Sequence, residues 1–79
     1  MSPIVFRAGA YRYYFFSKEE TRRHVHVIGP DGEAKVWLEP AIELASSAGL
    51  SSQNLRDIIR VVEARQEEIQ DEWNRHFGS

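Results

Sequence analysis

The chain changes its pattern of apolar residues at Pro40, and this change limits which elements it can form. From Ile4 to Leu38 the residues are rich in β-branched and aromatic side chains, with turn residues at short intervals, which is typical of hairpins. After Pro40 the apolar residues recur at helical spacing. With 79 residues and no cysteine, the chain has room for one hydrophobic core and no disulfide to support it. We therefore expect a single domain over residues 1–79, strand-rich over 3–38 and helical over 40–77.

A first hairpin is predicted around Gly9, because glycine readily adopts the positive φ of a tight turn. Its first arm is Ile4–Arg7, and its second arm is the aromatic run Tyr11–Ser17. Side chains alternate between the two faces of a strand, so the second arm carries aromatic residues on both faces and is expected to be a central strand. One face holds Tyr11, Tyr13 and Phe15, and the other holds Arg12, Tyr14 and Phe16.

A second hairpin is predicted around the turn Gly29–Gly32, where proline, aspartate and glycine occupy positions that suit them. Its arms are His24–Ile28 and Glu33–Leu38. The register between the two arms stays open, so their valines either share a face or lie on opposite faces. If the valines face the core, both histidines, Lys35 and Trp37 form a mixed outer surface.

Two helices are predicted after the sheet. Pro40 suits the first turn of a helix and Gly49 suits its end, which indicates a short helix near residues 40–48. Ser51 can cap a long helix that continues to about His76 with a single apolar stripe. The stripe consists of Leu55, Ile58, Ile59, Val62, Ile69 and Trp73. The predicted fold class is therefore α+β: a mostly antiparallel sheet of about four strands, in two hairpins, followed by a short and a long helix packed on one face.

The charge of the chain is nearly balanced overall but is divided between its two halves. The net charge is −2, although residues 1–38 hold six Lys and Arg against four Asp and Glu, and the remaining residues hold four against eight. A basic sheet with aromatic residues is the composition of proteins on which single-stranded bases stack. The candidate residues for binding nucleic acid or a partner are Arg12, Arg22, Arg23 and Trp37.

The His-x-His pair, His24 and His26, is the pattern in the chain that points most directly to chemistry. Alternation puts both imidazoles on one face of a strand, and imidazole titrates near neutral pH, so the pair could move protons during RNA cleavage. Lys35, Arg12 or Arg23 could hold the phosphate. The candidate catalytic residues are His24, His26 and Lys35. A metal ion would need a third ligand beside the histidines, and we expect no metal or cofactor. The candidates for that ligand are Glu19, Glu20 and Glu33.

Several segments together resemble a known bacterial family. They are the aromatic strand Tyr13–Ser17, the Lys-Glu-Glu loop after it, the His-Val-His-Val order at 24–27, the segment Gly32–Leu38 and a long helix ending in Trp73. In this combination the chain resembles the domain of unknown function 4160 over nearly its whole length. Members often have a proline pair before the first histidine, where this chain has Arg22 and Arg23.

The resemblance implies a small, stand-alone, cytoplasmic bacterial protein that is often encoded beside another small domain, as toxins and antitoxins are. It implies no catalytic residues, and whether the chain is an enzyme stays open. We therefore expect a protein-binding component of a toxin-antitoxin-like module, with the small protein encoded by the adjacent gene as its partner.

Two alternatives to this expectation stay open. The first is a metal-independent ribonuclease and the second is a nucleic-acid-binding module, each using the His-x-His face of the sheet. An RNA partner and a homo-oligomer also stay open. The longest apolar run, Tyr13–Phe16, is far shorter than the ~20 residues of a spanning helix, so no membrane partner is expected.

Overall fold

The structure, a computed structural model, describes residues 4–15 and 22–78 of the chain. Five antiparallel strands form one open sheet in the order of the sequence, and two helices follow them. The strands are β1 (Ile4–Ala8), β2 (Tyr11–Tyr14), β3 (His24–Ile28), β4 (Glu33–Trp37) and β5 (Glu43–Ala48). The helices are α1 (Ser52–Ala64) and α2 (Gln66–Phe77). The predicted α+β class with an antiparallel sheet is confirmed.

The register between β3 and β4 puts their valines on the same face of the sheet. Val25 lies opposite Val36, and Val27 lies opposite Ala34. These four residues are buried in one cluster with Tyr13 of β2 and with side chains of both helices. The helix residues of this core are Ile58, Val62, Ile69 and Trp73. Both helices therefore cover this face, and the described residues leave the opposite face without a helix.

The side chains of the aromatic strand β2 lie on both faces of the sheet, and Tyr13 is on the face that the helices cover. Its side chain is 1% exposed, and its ring stacks on Phe6 with the ring centroids 4.5 Å apart. Arg12 and Tyr14, at alternate positions of β2, face the other side and are more exposed. Burial raises the pKa of Tyr13 to about 12, so its hydroxyl group stays neutral even near pH 10, where an exposed tyrosine ionises.

The predicted short helix over residues 40–48 is wrong, because Glu43–Ala48 is the fifth strand and pairs with β4. Pro40 and Gly49 are good helix boundaries, but so short a segment is marginal as an isolated helix. As a strand, the segment pairs with β4, and its backbone groups find hydrogen-bond partners there. Without this pairing, β4 would be an open edge of the sheet. Gly49 does adopt a positive φ, of 82°, although it follows a strand. The strand-rich part of the chain therefore extends to Ala48.

The predicted long helix is in fact two helices that meet at Arg65. Ser51 caps α1 as predicted, and its side-chain oxygen accepts from the Asn54 amide at 3.1 Å. At Arg65 the backbone leaves helical geometry, with φ −116° and ψ 23°. The Arg65 guanidinium lies 3.8 Å from the centre of the Phe6 ring and pairs with Glu68. The junction between the helices is thus tied to β1 by a contact that helical spacing does not reveal.

Candidate functional site

The face of the sheet opposite the helices carries side chains in rows that cross the strands. Its middle row runs from Tyr14 through His26 and Lys35 to Ser46, because these residues lie opposite one another on neighbouring strands. The Tyr14 and His26 rings are stacked with their centroids 5.5 Å apart. This row lines a shallow groove of about 300 Å³. The surface formed by Arg12, Tyr14, His26, Lys35 and Trp37 is the open face.

Trp37 holds two cations at one end of the open face. The Arg22 guanidinium carbon lies 4.0 Å and the Lys35 ammonium nitrogen 4.5 Å from the centre of the Trp37 ring. Arg22 is also fixed by hydrogen bonds, since its Nε atom donates to the Glu39 carbonyl at 2.9 Å and Nη2 donates to the Glu43 carboxylate at 3.3 Å. The open face therefore presents a partly exposed indole ring bordered by positive charge.

His24 is buried, in contrast to His26. Its side chain is 0% exposed, and its Nδ1 atom donates to the Arg22 carbonyl oxygen at 2.6 Å. Because a carbonyl oxygen only accepts, this bond keeps the proton on Nδ1. The His24 ring centroid lies 5.6 Å from that of Trp37 on β4 and 5.4 Å from that of Trp73 on α2. His24 is therefore enclosed by the rings of His26, Trp37 and Trp73, whereas His26 lines the groove.

The predicted binding residues are divided between two sides of the molecule. Arg12 and Trp37 belong to the open face, and Arg22 lies against Trp37. Arg23 instead reaches α2, where its Nη1 atom donates to the Gln70 side chain at 2.9 Å. The Gln70 amide in turn donates to the backbone carbonyl of Leu38, which directly follows β4. Arg23 therefore links the start of β3 to α2.

The described residues, 4–15 and 22–78, contain no group of three His, Asp or Glu side chains that could hold a metal ion. Glu33, one of the predicted third ligands, lies opposite Ile28 in the row next to that of His26. Glu19 and Glu20, the other two, lie outside the described residues, as does Phe16, which alternation puts on the same strand face as Arg12 and Tyr14.

Sequence reasoning missed Ser46 and Arg7 as residues of this side of the sheet. Ser46 lines the groove because Glu43–Ala48 forms a strand that pairs with β4. This segment has no alternation of apolar and polar residues that would have predicted a strand. Arg7 lies directly opposite Arg12 across the turn at Gly9 and Ala10. The equal spacing of the two arginines from that turn is a signal that could have found Arg7.

An open antiparallel sheet with two helices on one face, and aromatic residues beside cations on the other, defines a small α+β domain with one uncovered sheet face. Within the described ranges, no helix is long and apolar enough to cross a membrane. The chain belongs to the family described as Domain of unknown function (DUF4160), whose model matches residues 10–74, which confirms the resemblance. The match includes β2 to β5, α1 and most of α2. No curated protein and no solved structure matches the chain.

Proposed function

We propose that the chain is the protein-binding component of a cytoplasmic, bacterial toxin-antitoxin-like module and that its open face binds the partner, a small protein encoded by the adjacent gene. The observation that supports this proposal is the open face itself, where Tyr14, His26 and Trp37 lie partly exposed in the described structure. Aromatic residues beside arginine are enriched in the centres of protein interfaces. The family resemblance suggests the two-gene arrangement.

Trp37 is the expected anchor of this interface. Interface residues that cost most on truncation are enriched in Trp, Tyr and Arg, and Trp37 is in contact with Arg22. The contacts with Arg22 and Lys35 already hold the indole in place, so little side-chain entropy would be lost on binding. A partner surface with a hydrophobic pocket and acidic residues around it would complement this arrangement.

Co-expression with the product of the adjacent gene, followed by size-exclusion chromatography and an affinity measurement, tests the proposal. We expect the two proteins to co-elute and Trp37→Ala to weaken the complex about 30-fold, the equivalent of a hot-spot loss of ~2 kcal/mol. The matched control is Arg60→Ala on α1, because the Arg60 side chain is 74% exposed and lies outside the open face. This variant is expected to bind as tightly as the unmodified chain.

Elution as two independent species contradicts the proposal. Equal weakening by Trp37→Ala and Arg60→Ala places the interface elsewhere, provided that thermal unfolding shows both variants to be folded. Growth arrest on expression of the chain alone, relieved by the adjacent gene, would identify it as the toxin of the pair.

Single-stranded RNA binding is a second candidate function, favoured by the stacked pair of Tyr14 and His26. Bases stack on exposed aromatic side chains, and cations beside them contact the phosphates. Lys35 lies opposite His26 and can make such a contact. Cleavage by two imidazoles requires both rings to reach the RNA, and His24 is buried, so this geometry favours binding over cleavage.

Fluorescence anisotropy with a short single-stranded RNA tests the second candidate. His26→Ala is expected to weaken binding about 5-fold to 150-fold, since a base stacked on an aromatic ring contributes ~1–3 kcal/mol. The affinity of the unmodified chain is expected to fall as salt is added. An affinity that salt does not change argues against phosphate contacts. RNA cleavage that is lost in His26→Ala would favour the metal-independent ribonuclease instead.

A further inference from the structure

Arg7 and Arg12 form a pair of like charges on neighbouring strands. The register of β1 and β2 places them directly opposite each other, on the same side of the sheet as the open face. Residues paired in this way have Cβ atoms about 4.5–5.5 Å apart, and two like charges at such positions destabilise a sheet. Both side chains are exposed. The fold therefore keeps two exposed cations side by side.

No carboxylate neutralises this pair within the described part of the chain. Neither Arg7 nor Arg12 forms an ion pair or a side-chain hydrogen bond there. Glu33, the acid in the same cross-strand row, is separated from Arg12 by the intervening strand at Ile28. Two strand spacings amount to about 10 Å. The arginines that do pair with an Asp or Glu are Arg22, Arg23, Arg60, Arg65 and Arg75.

The two arginines line one groove, of about 400 Å³, at the end of the sheet where two hairpin turns meet. Its other lining residues are Gly9, Ala10, Tyr11, Ile28, Gly29 and Pro30, and none of them is acidic. The second of these turns lies close to β2, because a Cβ atom at Gly29 would lie 2.4 Å from the Tyr11 ring. The two arginines therefore border the same groove, and no acidic side chain lines it.

We infer that this groove, the Arg7–Arg12 groove, is a binding site for a phosphate group. A guanidinium presents a planar fork of N–H donors that matches the oxygens of phosphate, and two such groups neutralise a doubly charged anion. The bound anion would also remove the repulsion between the two arginines. The phosphate is either free inorganic phosphate or part of a polynucleotide backbone, since the same chemistry recognises both.

Arg12 belongs to the open face, but it lies at the opposite end of that face from Trp37, the expected anchor of the partner interface. Arg12 pairs with Ile28 and Trp37 pairs with His24, so the two positions lie four residues apart along β3, about 13 Å. Failure of the phosphate site therefore leaves the partner proposal intact, and loss of the partner complex leaves the phosphate site intact.

Titration of the full chain with inorganic phosphate at low ionic strength tests the inference, with binding followed by calorimetry and by the rise in Tm. Arg7→Gln and Arg12→Gln are each expected to reduce the affinity at least about tenfold. Both variants are expected to fold, because each removes one of two repelling charges, so their Tm without phosphate is at least that of the unmodified chain. Arg60→Gln on α1 changes the net charge equally and is expected to bind phosphate normally.

A second titration, with a short single-stranded RNA, separates the two sources of phosphate. Binding of inorganic phosphate that depends on Arg7 and Arg12 establishes a site for the free anion. Binding of RNA alone, with the same dependence on these arginines, establishes a site for the polynucleotide backbone. An equal loss in Arg60→Gln, or no binding of either probe, overturns the inference.

Discussion

Replacing Trp73 with alanine is expected to lower the free energy of unfolding by about 3–5 kcal/mol, the usual cost of truncating a buried aromatic side chain. Trp73 is 3% exposed, and its ring centroid lies 5.3 Å from Phe15, 5.4 Å from His24 and 4.3 Å from Phe77. A domain of 79 residues has a total stability of roughly 4–12 kcal/mol, so the variant is expected to be marginally folded. Urea unfolding followed by far-ultraviolet circular dichroism measures the change.

The control for this substitution is Leu44→Ala, in which a large apolar side chain that is 40% exposed is removed from β5. Its expected cost is below about 1 kcal/mol, as for most surface substitutions. Similar losses in the two variants would show that Trp73 is not at the centre of the core.

Gly32→Ala is expected to lower the free energy of unfolding by about 1–3 kcal/mol through a collision between two backbone segments. A Cβ atom at Gly32 would lie 2.0 Å from the Ala48 carbonyl oxygen and 2.9 Å from the Gly49 carbonyl carbon. Neither contact is with a flexible side chain, so the end of β5 must move away from β4. Hydrogen exchange is expected to show reduced protection of the β5 amides, with that of β2 and β3 less affected.

Gly9→Ala separates this collision from backbone strain. Gly9 has a φ of 60°, and a Cβ atom there would meet nothing within 4 Å, so the cost of that variant is strain alone, about 1–2 kcal/mol. Protection of the β5 amides is expected to be unchanged in Gly9→Ala. If Gly32→Ala also leaves β5 protected, then β5 does not approach the turn as closely as the structure shows.

The first four strands could be predicted because their signals are local. Alternation alone separates Tyr13 from Arg12 and Tyr14, since the pleat of a strand depends only on its backbone. The turn at Gly29–Gly32 depends equally on its own residues, and the Gly29 amide donates to the Gly32 carbonyl at 2.9 Å. The side on which the valines lie was not predictable, because register is set by pairing between distant residues.

The fifth strand could not be predicted because its own residues argue against it. The segment Glu43–Ala48 is rich in alanine and serine and lacks the β-branched residues that are common in strands. It is a strand because β4 offers an unpaired edge beside it, which is a property of the sheet and not of the segment. Arg65 is a similar case, since nothing in its sequence context resembles a helix boundary, and its contact with Phe6 exists only in the folded chain.

The candidate site could be predicted in part for the same reasons. Alternation puts His26 and Lys35 on one outer surface only if the valines of both strands face the core, and the register shows this arrangement, with His26 opposite Lys35. The burial of His24 depends on Trp73, which belongs to another element far along the chain. Equivalent residues in a sequence pattern can therefore differ in exposure, and here only one of the two imidazoles lines the groove.

The order of the sheet also affects how the chain folds. Each strand pairs with the strand before it in sequence, so every pairing closes a short loop at a low cost in entropy. Pairing between consecutive strands keeps the contact order within the sheet low, which favours rapid assembly of the sheet. The helices that cover the apolar face follow all five strands, however. During synthesis the sheet can assemble before its cover exists, and a nascent chain is most prone to aggregation in the interval before α1 and α2 have emerged from the ribosome.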